Sequence, residues 1–356
     1  MSPSEIAGAA RRILIVRLSS LGDIIHALPV AAALRAANPA AYLAWLVDER
    51  WHPLVEQVEG LDAILSVPRA GWSGVRRGVA RLRAERFDCA VDVQGLYKSA
   101  LFARLSGAPL RVGFDRVFAR EGGASLFYNC RVTPPHGHRI DKNLSLAAAV
   151  GAPPVAGGRG ARAQFPLRVP QEAETSVRQT LRTHGFSSYF MLSPGGGWLS
   201  KCWPAERFGE LHRRLTAHFG WGGVVSYGPG ERGLAHAVLA AAGTPAPLLL
   251  ELELPQLMAA LRGAQVFIGG DTGPLHLSVA LGTRVVGLYG PTDPVQTGPY
   301  SREDVVVRNA RPEETTYNRG RAHAPSMLTI TVDQVVEAVA RRVAAPAACR
   351  AEAAPL

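Results

Sequence analysis

Lysine is nearly absent from this chain. Of its 39 basic residues only Lys98, Lys142 and Lys201 are lysine and the other 36 are arginine. A skew of that size reflects genome composition more than chemistry, so the net charge of +10 does not by itself point to nucleic acid. Cysteine is scarce too: Cys89, Cys130, Cys202 and Cys349 lie far apart, with no CxxC pair and no histidine cluster at zinc spacing. That excludes a disulfide framework and a structural zinc site, and makes a reducing compartment the default. The apolar run Ile13–Val16 follows Arg11 and Arg12 but is shorter than the ~7–15 residues of a signal-peptide core. No stretch approaches the ~18 apolar residues of a membrane span. The expected location is therefore the cytoplasm.

What is present supports a folded protein. The 356 residues are 47% hydrophobic and 19% charged, enough to bury a core. At a prior of ~150 residues per domain the chain holds two domains. Charge is shared unevenly between them. Residues 1–170 carry 22 basic and 13 acidic side chains, and residues 171–356 carry 17 and 16. The cationic half is the one expected to meet an anionic partner.

Strand-like and helix-like segments alternate from end to end, the pattern of parallel-sheet α/β domains. Ile13–Val16, Tyr42–Val47, Ala63–Val67 and Cys89–Val93 read as strands, with helices ending near Ala37 and spanning Lys98–Leu105. Glycine and proline crowd residues 151–170 and break both periods. The alternation restarts with strands Tyr189–Leu192, Gly223–Tyr227, Gln265–Ile268 and Arg284–Tyr289, each followed by a Gly-rich loop. Pro204 is expected at the first position of a helix running to about Phe219. An amphipathic helix, Asp333–Ala345, closes the pattern. The expected organisation is a Rossmann-like domain over 1–160, a linker over 161–180, a nucleotide-binding Rossmann-like domain over 181–330, and a helix and tail over 331–356.

Several loops carry chemistry-bearing residues. Asp271-Thr272-Gly273-Pro274-Leu275-His276 joins a strand to a helix, where unpaired N–H groups suit phosphate. Asp271 suits ribose hydroxyls and His276 a phosphate oxygen; the same residues also suit a helix cap and a surface histidine. Lys201 precedes a helix start, where a cation is unfavourable unless an anion lies nearby; a solvated loop lysine is the alternative. Asp23 follows Ser19-Ser20-Leu21-Gly22 at a strand-to-helix turn. There it is either a helix N-cap or a general base, and a partly desolvated cleft would raise its pKa and strengthen it. His26 reads as packing. Gly228-Pro229-Gly230-Glu231-Arg232-Gly233 is a literal GxGxxG, with Glu251 and Glu253 ~20 residues on. It follows the second strand of its domain rather than the first, and Pro229 lacks a donor, so a dinucleotide site is disfavoured. Arg69, Arg76, Arg77, Arg81, Arg83 and Arg86 surround Glu85 and Trp72. They form either a solvated face or a landing strip for phosphates or an anionic membrane surface. No nucleic-acid module accompanies them.

Taken together, these loops resemble the lipopolysaccharide heptosyltransferases, in particular the heptosyltransferase I branch. The residues that carry the resemblance are Ile13 to Pro29, Asp92 to Ala100, Ala119-Arg120-Glu121 and Ser125 to Asn129. In the second half they are Lys201 with Trp203-Pro204, Asp271-Thr272-Gly273 with His276, and Tyr289 to Pro294. The resemblance implies a GT-B fold, two Rossmann-like domains with parallel sheets facing across a cleft. It implies metal-independent, inverting transfer of heptose from ADP-heptose to an anionic inner-core glycolipid of the Kdo-lipid A type, with no cofactor. Asp23 would then be the general base. Gly196, Gly197, Lys201, Glu231, Asp271, Thr272, Gly273 and His276 would bind the donor, and Arg17, Ser20, Lys98, Arg120 and His138 the acceptor. The basic first half would rest peripherally on the inner face of the cytoplasmic membrane, and no nucleic acid is expected. There is no DxD pair to hold a metal, so cationic side chains and helix N-termini must stabilise the leaving diphosphate.

Three departures from the family pattern stand out. Gly195-Gly196-Gly197 replace hydroxyl-bearing residues, Arg17 replaces a lysine, and Arg308–Met327 match nothing in it. The rival functions are a nucleotide-sugar 2-epimerase of the same fold, an NAD-dependent oxidoreductase using Gly228–Gly233, and a non-catalytic sugar-nucleotide-binding module.

Overall fold

The computed structural model describes residues 11–67, 72–154 and 163–345. Arg69, the side chain of Trp72, linker residues 155–162, Cys349 and the tail from 346 lie outside the described residues. The chain divides into two compact units between Arg168 and Val169.

The first unit is built on six parallel strands: β1 (Arg12–Val16), β2 (Tyr42–Asp48), β3 (Ala63–Val67), β4 (Cys89–Asp92), β5 (Leu110–Phe114) and β6 (Cys130–Val132). Their order is β3-β2-β1-β4-β5-β6. Central parallel strands are covered on both faces, so they read as unbroken apolar runs. Ile13, Leu14, Ile15 and Val16 are all fully buried. Ile13 pairs with Leu43 of β2 on one side and with Cys89 of β4 on the other. The direction of strand succession reverses between β1 and β4, the switch point at which open α/β sheets bind ligands. Two short helices, Leu21–Ile25 and Leu28–Ala37, follow β1. The Asn143 side-chain amide donates to the His26 carbonyl at 2.9 Å, fixing helix Arg139–Ala148 beside that turn.

The second unit repeats the plan with β7 (Tyr189–Ser193), β8 (Gly222–Tyr227), β9 (Leu248–Glu251), β10 (Phe267–Gly270), β11 (Val285–Leu288) and β12 (Val305–Val307). They are ordered β12-β11-β10-β7-β8-β9, and the switch point lies between β7 and β10. Phe190, Leu192, Phe208, Ile268, Val286 and Val335 belong to one buried cluster of strand and helix side chains. The closing helix, Val332–Ala344, joins it.

Several boundaries differ from expectation. Pro204 is the N-cap of helix Ala205–Phe219, not its first residue, because its extended ψ of 137° leaves it outside the helical turn. Gly269 and Gly270, expected as loop, complete β10 by pairing with β11. A helix, Gln171–Thr183, begins inside the stretch expected as linker over 161–180 and runs past its end, and a Glu174–Arg262 ion pair joins it to helix Leu254–Gly263. Its apolar stripe, Ala173, Val177 and Leu181, is buried at helical spacing. Among the described residues no helix is long and apolar enough to cross a membrane.

Candidate functional site

In the first unit the turn after β1 carries Asp23. Ser20 is the N-cap of helix Leu21–Ile25 and Asp23 is its third residue, so the N-cap alternative for Asp23 does not hold. The Ser20 backbone N–H and hydroxyl donate to Asp23 Oδ2 at 3.4 and 3.1 Å. Three guanidiniums close on the same carboxylate. Arg17 reaches Oδ1 at 2.9 Å, Arg139 reaches Oδ1 at 2.8 Å and Arg120 lies 3.5 Å from Oδ2. Burial alone would raise the Asp23 pKa. Arg17, Arg139 and Arg120, with the Ser20 N–H, outweigh burial and hold the carboxyl well below the usual carboxylate range. The expectation of a raised pKa is therefore corrected: the turn buries the carboxylate, but among cations.

Arg17 is locked in place. It is buried, donates to the Val93 carbonyl at 2.6 Å, and burial pulls its own pKa down. Behind it, Gln94 Oε1 accepts the Leu18 N–H at 2.7 Å, tying the β1 loop to the β4 loop. Asp92 accepts from the Gln94 N–H and the Tyr128 hydroxyl; burial nonetheless raises its pKa. Gly95 has φ +69°, and a Cβ there would come within 3.1 Å of the Arg120 backbone nitrogen. Glycine at that position lets the Arg120 loop lie close. His138 is buried and caps helix Arg139–Ala148, its Nδ1 accepting the Ile140 N–H at 3.1 Å, with its ring edge-on to His26. Lys98 is exposed on helix Tyr97–Leu105, whereas Arg17, Ser20 and Arg120 are brought directly to Asp23.

In the second unit the loops after β7 and β10 come together. Lys201 Nζ donates to Asp271 Oδ2 at 2.9 Å and to the Asp271 carbonyl at 3.2 Å, and lies 4.3 Å from the centre of the Trp198 ring. Asp271 Oδ1 pairs with His276 Nε2 at 3.2 Å. Burial of Asp271 would raise its pKa, but His276 and Lys201 together depress it below the usual range. Thr272 is the N-cap of helix Gly273–Ala280, yet its hydroxyl oxygen is buried with no hydrogen-bond partner. A buried hydroxyl without a partner beside free helix N–H groups suits an anionic oxygen. Glu231 is the N-cap residue of helix Arg232–Ala242 and its carboxylate accepts the Gly228 N–H at 2.9 Å. A Cβ on Gly195 would meet that carboxylate at 2.1 Å. The glycine run after β7 thus makes room for Glu231, and Gly196 packs against Cys202 and Lys201. The GxGxxG loop follows β8, the second strand of this sheet, as its disfavoured reading as a dinucleotide site requires.

Two basic residues escaped the sequence reading. Arg139 stands at the first position of a helix. The electrostatic argument that singles out Lys201, a cation at a helix N-terminus, applies to it equally. Arg319 lies 5.4 Å from the Trp198 ring, in the 308–327 segment that was expected to match nothing in the family but falls, up to residue 325, inside the matched region. That segment is fixed to the Lys201 loop through His323 with the Cys202 carbonyl at 2.8 Å. The basic helix Trp72–Ala84 leaves Arg76, Arg77, Arg81 and Arg83 exposed, with Arg86 just beyond it, while Leu82 is buried in the core. Among the described residues no three His, Cys, Asp or Glu side chains gather as a metal site.

Known proteins resemble the chain along most of its length. The family model described as glycosyltransferase family 9 (heptosyltransferase) matches residues 75–325. Lipopolysaccharide heptosyltransferase 1 of Pseudomonas aeruginosa is 32% identical over 83% of this chain and 82% of its own. Among solved structures, a family 9 glycosyl transferase from Veillonella parvula superposes with a TM-score of 0.78 at 21% identity, covering 94% and 97% of the two chains. Escherichia coli heptosyltransferase WaaC with ADP gives a TM-score of 0.71 at 25% identity over 94% and 99%. The fold is accordingly that of the GT-B heptosyltransferases, with two parallel six-stranded sheets.

Proposed function

Since the chain belongs to glycosyltransferase family 9, the heptosyltransferases, we propose that it transfers heptose from ADP-heptose to an anionic inner-core lipopolysaccharide acceptor of the Kdo-lipid A type. An acceptor hydroxyl oxygen attacks the anomeric carbon and its proton passes to the Asp23 carboxylate. The bond from the anomeric carbon to the diphosphate oxygen breaks, and ADP leaves with the electron pair. Attack on the face opposite the leaving group inverts the anomeric centre. Lys201, the Thr272 hydroxyl and the backbone N–H groups of Gly273 and Leu275 stabilise the departing charge without a metal. Glu231 binds donor hydroxyls; Arg17, Arg120, Lys98 and His138 serve the acceptor. The exposed arginines around residues 76–86 hold the enzyme at the anionic membrane face.

The observation that carries this reading is the Asp23 carboxylate at the switch point of its sheet, ringed by Arg17, Arg120 and Arg139. A base surrounded by guanidiniums suits an acceptor that brings its own negative charge. The test is a thermal-shift panel of ADP, UDP, GDP and NAD, followed by assay of ADP release with and without acceptor in the presence of EDTA. ADP alone is expected to stabilise the protein, and ADP release to depend on acceptor but not on EDTA. Selective stabilisation by UDP or NAD overturns the reading.

The Gly195 contact gives a further expected result. In Gly195→Ala the new methyl displaces the Glu231 carboxylate, which costs a charged hydrogen bond to the sugar. The KM for ADP-heptose should rise ~10-fold or more, with ADP affinity unchanged. Titrating both ligands against the variant checks this.

A further inference from the structure

Both oxygens of Asp23 are already engaged. Oδ1 is ion-paired with Arg17 at 2.9 Å and accepts from Arg139 at 2.8 Å, and Oδ2 accepts from the Ser20 hydroxyl at 3.1 Å with Arg120 ion-paired at 3.5 Å. A carboxylate ion-paired to three guanidiniums, with Oδ1 crowded by two of them, is a poor acceptor for the proton of an attacking hydroxyl until one cation withdraws. The three cations are not equivalent. Arg17 is only 4% exposed at its side chain and pinned by the Val93 carbonyl, so it stays. Arg139 and Arg120 expose 34% and 57% of their side chains and have N–H donors to spare. Arg139 also sits in the first turn of a helix, where the dipole disfavours a cation and favours an anion.

We propose that Arg139 is a latch on Asp23: it occupies Oδ1 until an anionic group of the acceptor draws its guanidinium away, so the acceptor's own charge releases the base. The inference rests on the transferase reading above and makes Arg139 a positioning residue. It gives the arginine ring a second consequence. A neutral acceptor would fail even when its hydroxyl is correctly placed, because nothing competes with Asp23 for Arg139. The anion that competes is a carboxylate or a phosphate, both of which bind a guanidinium bidentately.

The experiment compares O-deacylated Kdo-lipid A, the same compound with its Kdo carboxylates as methyl esters, and the same compound dephosphorylated. ADP release is followed for the wild type, Arg139→Ala and Arg139→Lys. The wild type is expected to turn over the methyl ester, the dephosphorylated compound, or both, ~10²-fold more slowly than the intact acceptor; which one is slow identifies the anion. In Arg139→Ala, kcat on the slow acceptor should rise at least ~10-fold while KM for the intact acceptor worsens, and Arg139→Lys should keep the wild-type discrimination. The acid limb of kcat/KM should also move to higher pH in Arg139→Ala, because Asp23 has lost one of the cations that lower its pKa. A residue that only binds acceptor, or only supports the fold, would raise turnover of no substrate. If Arg139→Ala loses activity on every acceptor with discrimination unchanged, the latch is overturned and the transferase reading stands. If the wild type releases no ADP with any acceptor, both fall.

Discussion

Exchanging Asp23 for alanine is expected to lower kcat by ~10²–10⁴-fold while calorimetry finds ADP bound as tightly as by the wild type. The carboxylate stands at the end of β1 in the first unit, and the proposed donor contacts all belong to the second. Transfer at near wild-type rate by the variant overturns the assignment of the base. The variant also leaves buried Arg17 without its counterion, so it should melt earlier; intact ADP binding separates that loss from the catalytic one. The pH dependence has a definite sign. The folded pKa of Asp23 is depressed, so its contribution to stability is fully present above the unfolded value of ~3.9 and is lost as pH falls through the folded value. The proposed role as base needs the ionised form, so the acid limb of kcat/KM, which reports the free enzyme, should lie below the ordinary carboxylate range. The limb of kcat reports the substrate complex. If acceptor draws Arg120 and Arg139 away, that limb lies at higher pH than the first.

Much of this architecture was legible in the residues, and the parts that were not share a physical reason. The central strands read directly because burial on both faces demands unbroken apolar runs, as in Ile13–Val16 and Tyr189–Leu192. Strands β6, β9 and β12 did not read, being three or four residues long at sheet edges, where half-burial relaxes the pattern. β5 was hidden by Arg111 and Gly113 within it; a Cβ on Gly113 would run into the Tyr128 ring, so the glycine serves packing rather than a turn. At the site, motif order located Asp23, Lys201 and Asp271, but spacing carries no sign of which side chains converge from distant segments. Arg139 lies 116 residues from Asp23 in the chain. For the same reason the pKa of Asp23 was expected to rise: local sequence indicates burial, whereas the opposing guanidiniums arrive from three separate segments.

Replacing Lys201 by alanine should lower kcat/KM by ~10²–10³-fold, with ADP affinity falling less than turnover. The side chain is only 11% exposed and Asp271 holds its ammonium at 2.9 Å, so it is fixed before any ligand arrives. A charge so held stabilises a diphosphate oxygen as negative charge develops on it, without reorganising at that moment; this is why the rate should suffer more than binding of the product nucleotide. Asp271 complicates the experiment usefully. Its pKa is depressed by His276 and Lys201 against the effect of burial, so near pH 7 it is ionised and its stabilising contribution is in full force. Without Lys201 that buried carboxylate keeps its His276 contact and loses its ammonium partner, and the melting temperature should drop. Lys201→Arg restores the charge to Asp271 but presents a planar fork in place of a compact ammonium; the melting temperature should recover more fully than kcat/KM. If alanine lowers the melting temperature yet leaves kcat/KM near wild type, Lys201 is only a strut for Asp271. The departing charge would then fall to the Thr272 hydroxyl and the N-terminal turn of helix Gly273–Ala280, which Thr272→Val would test in the same assay.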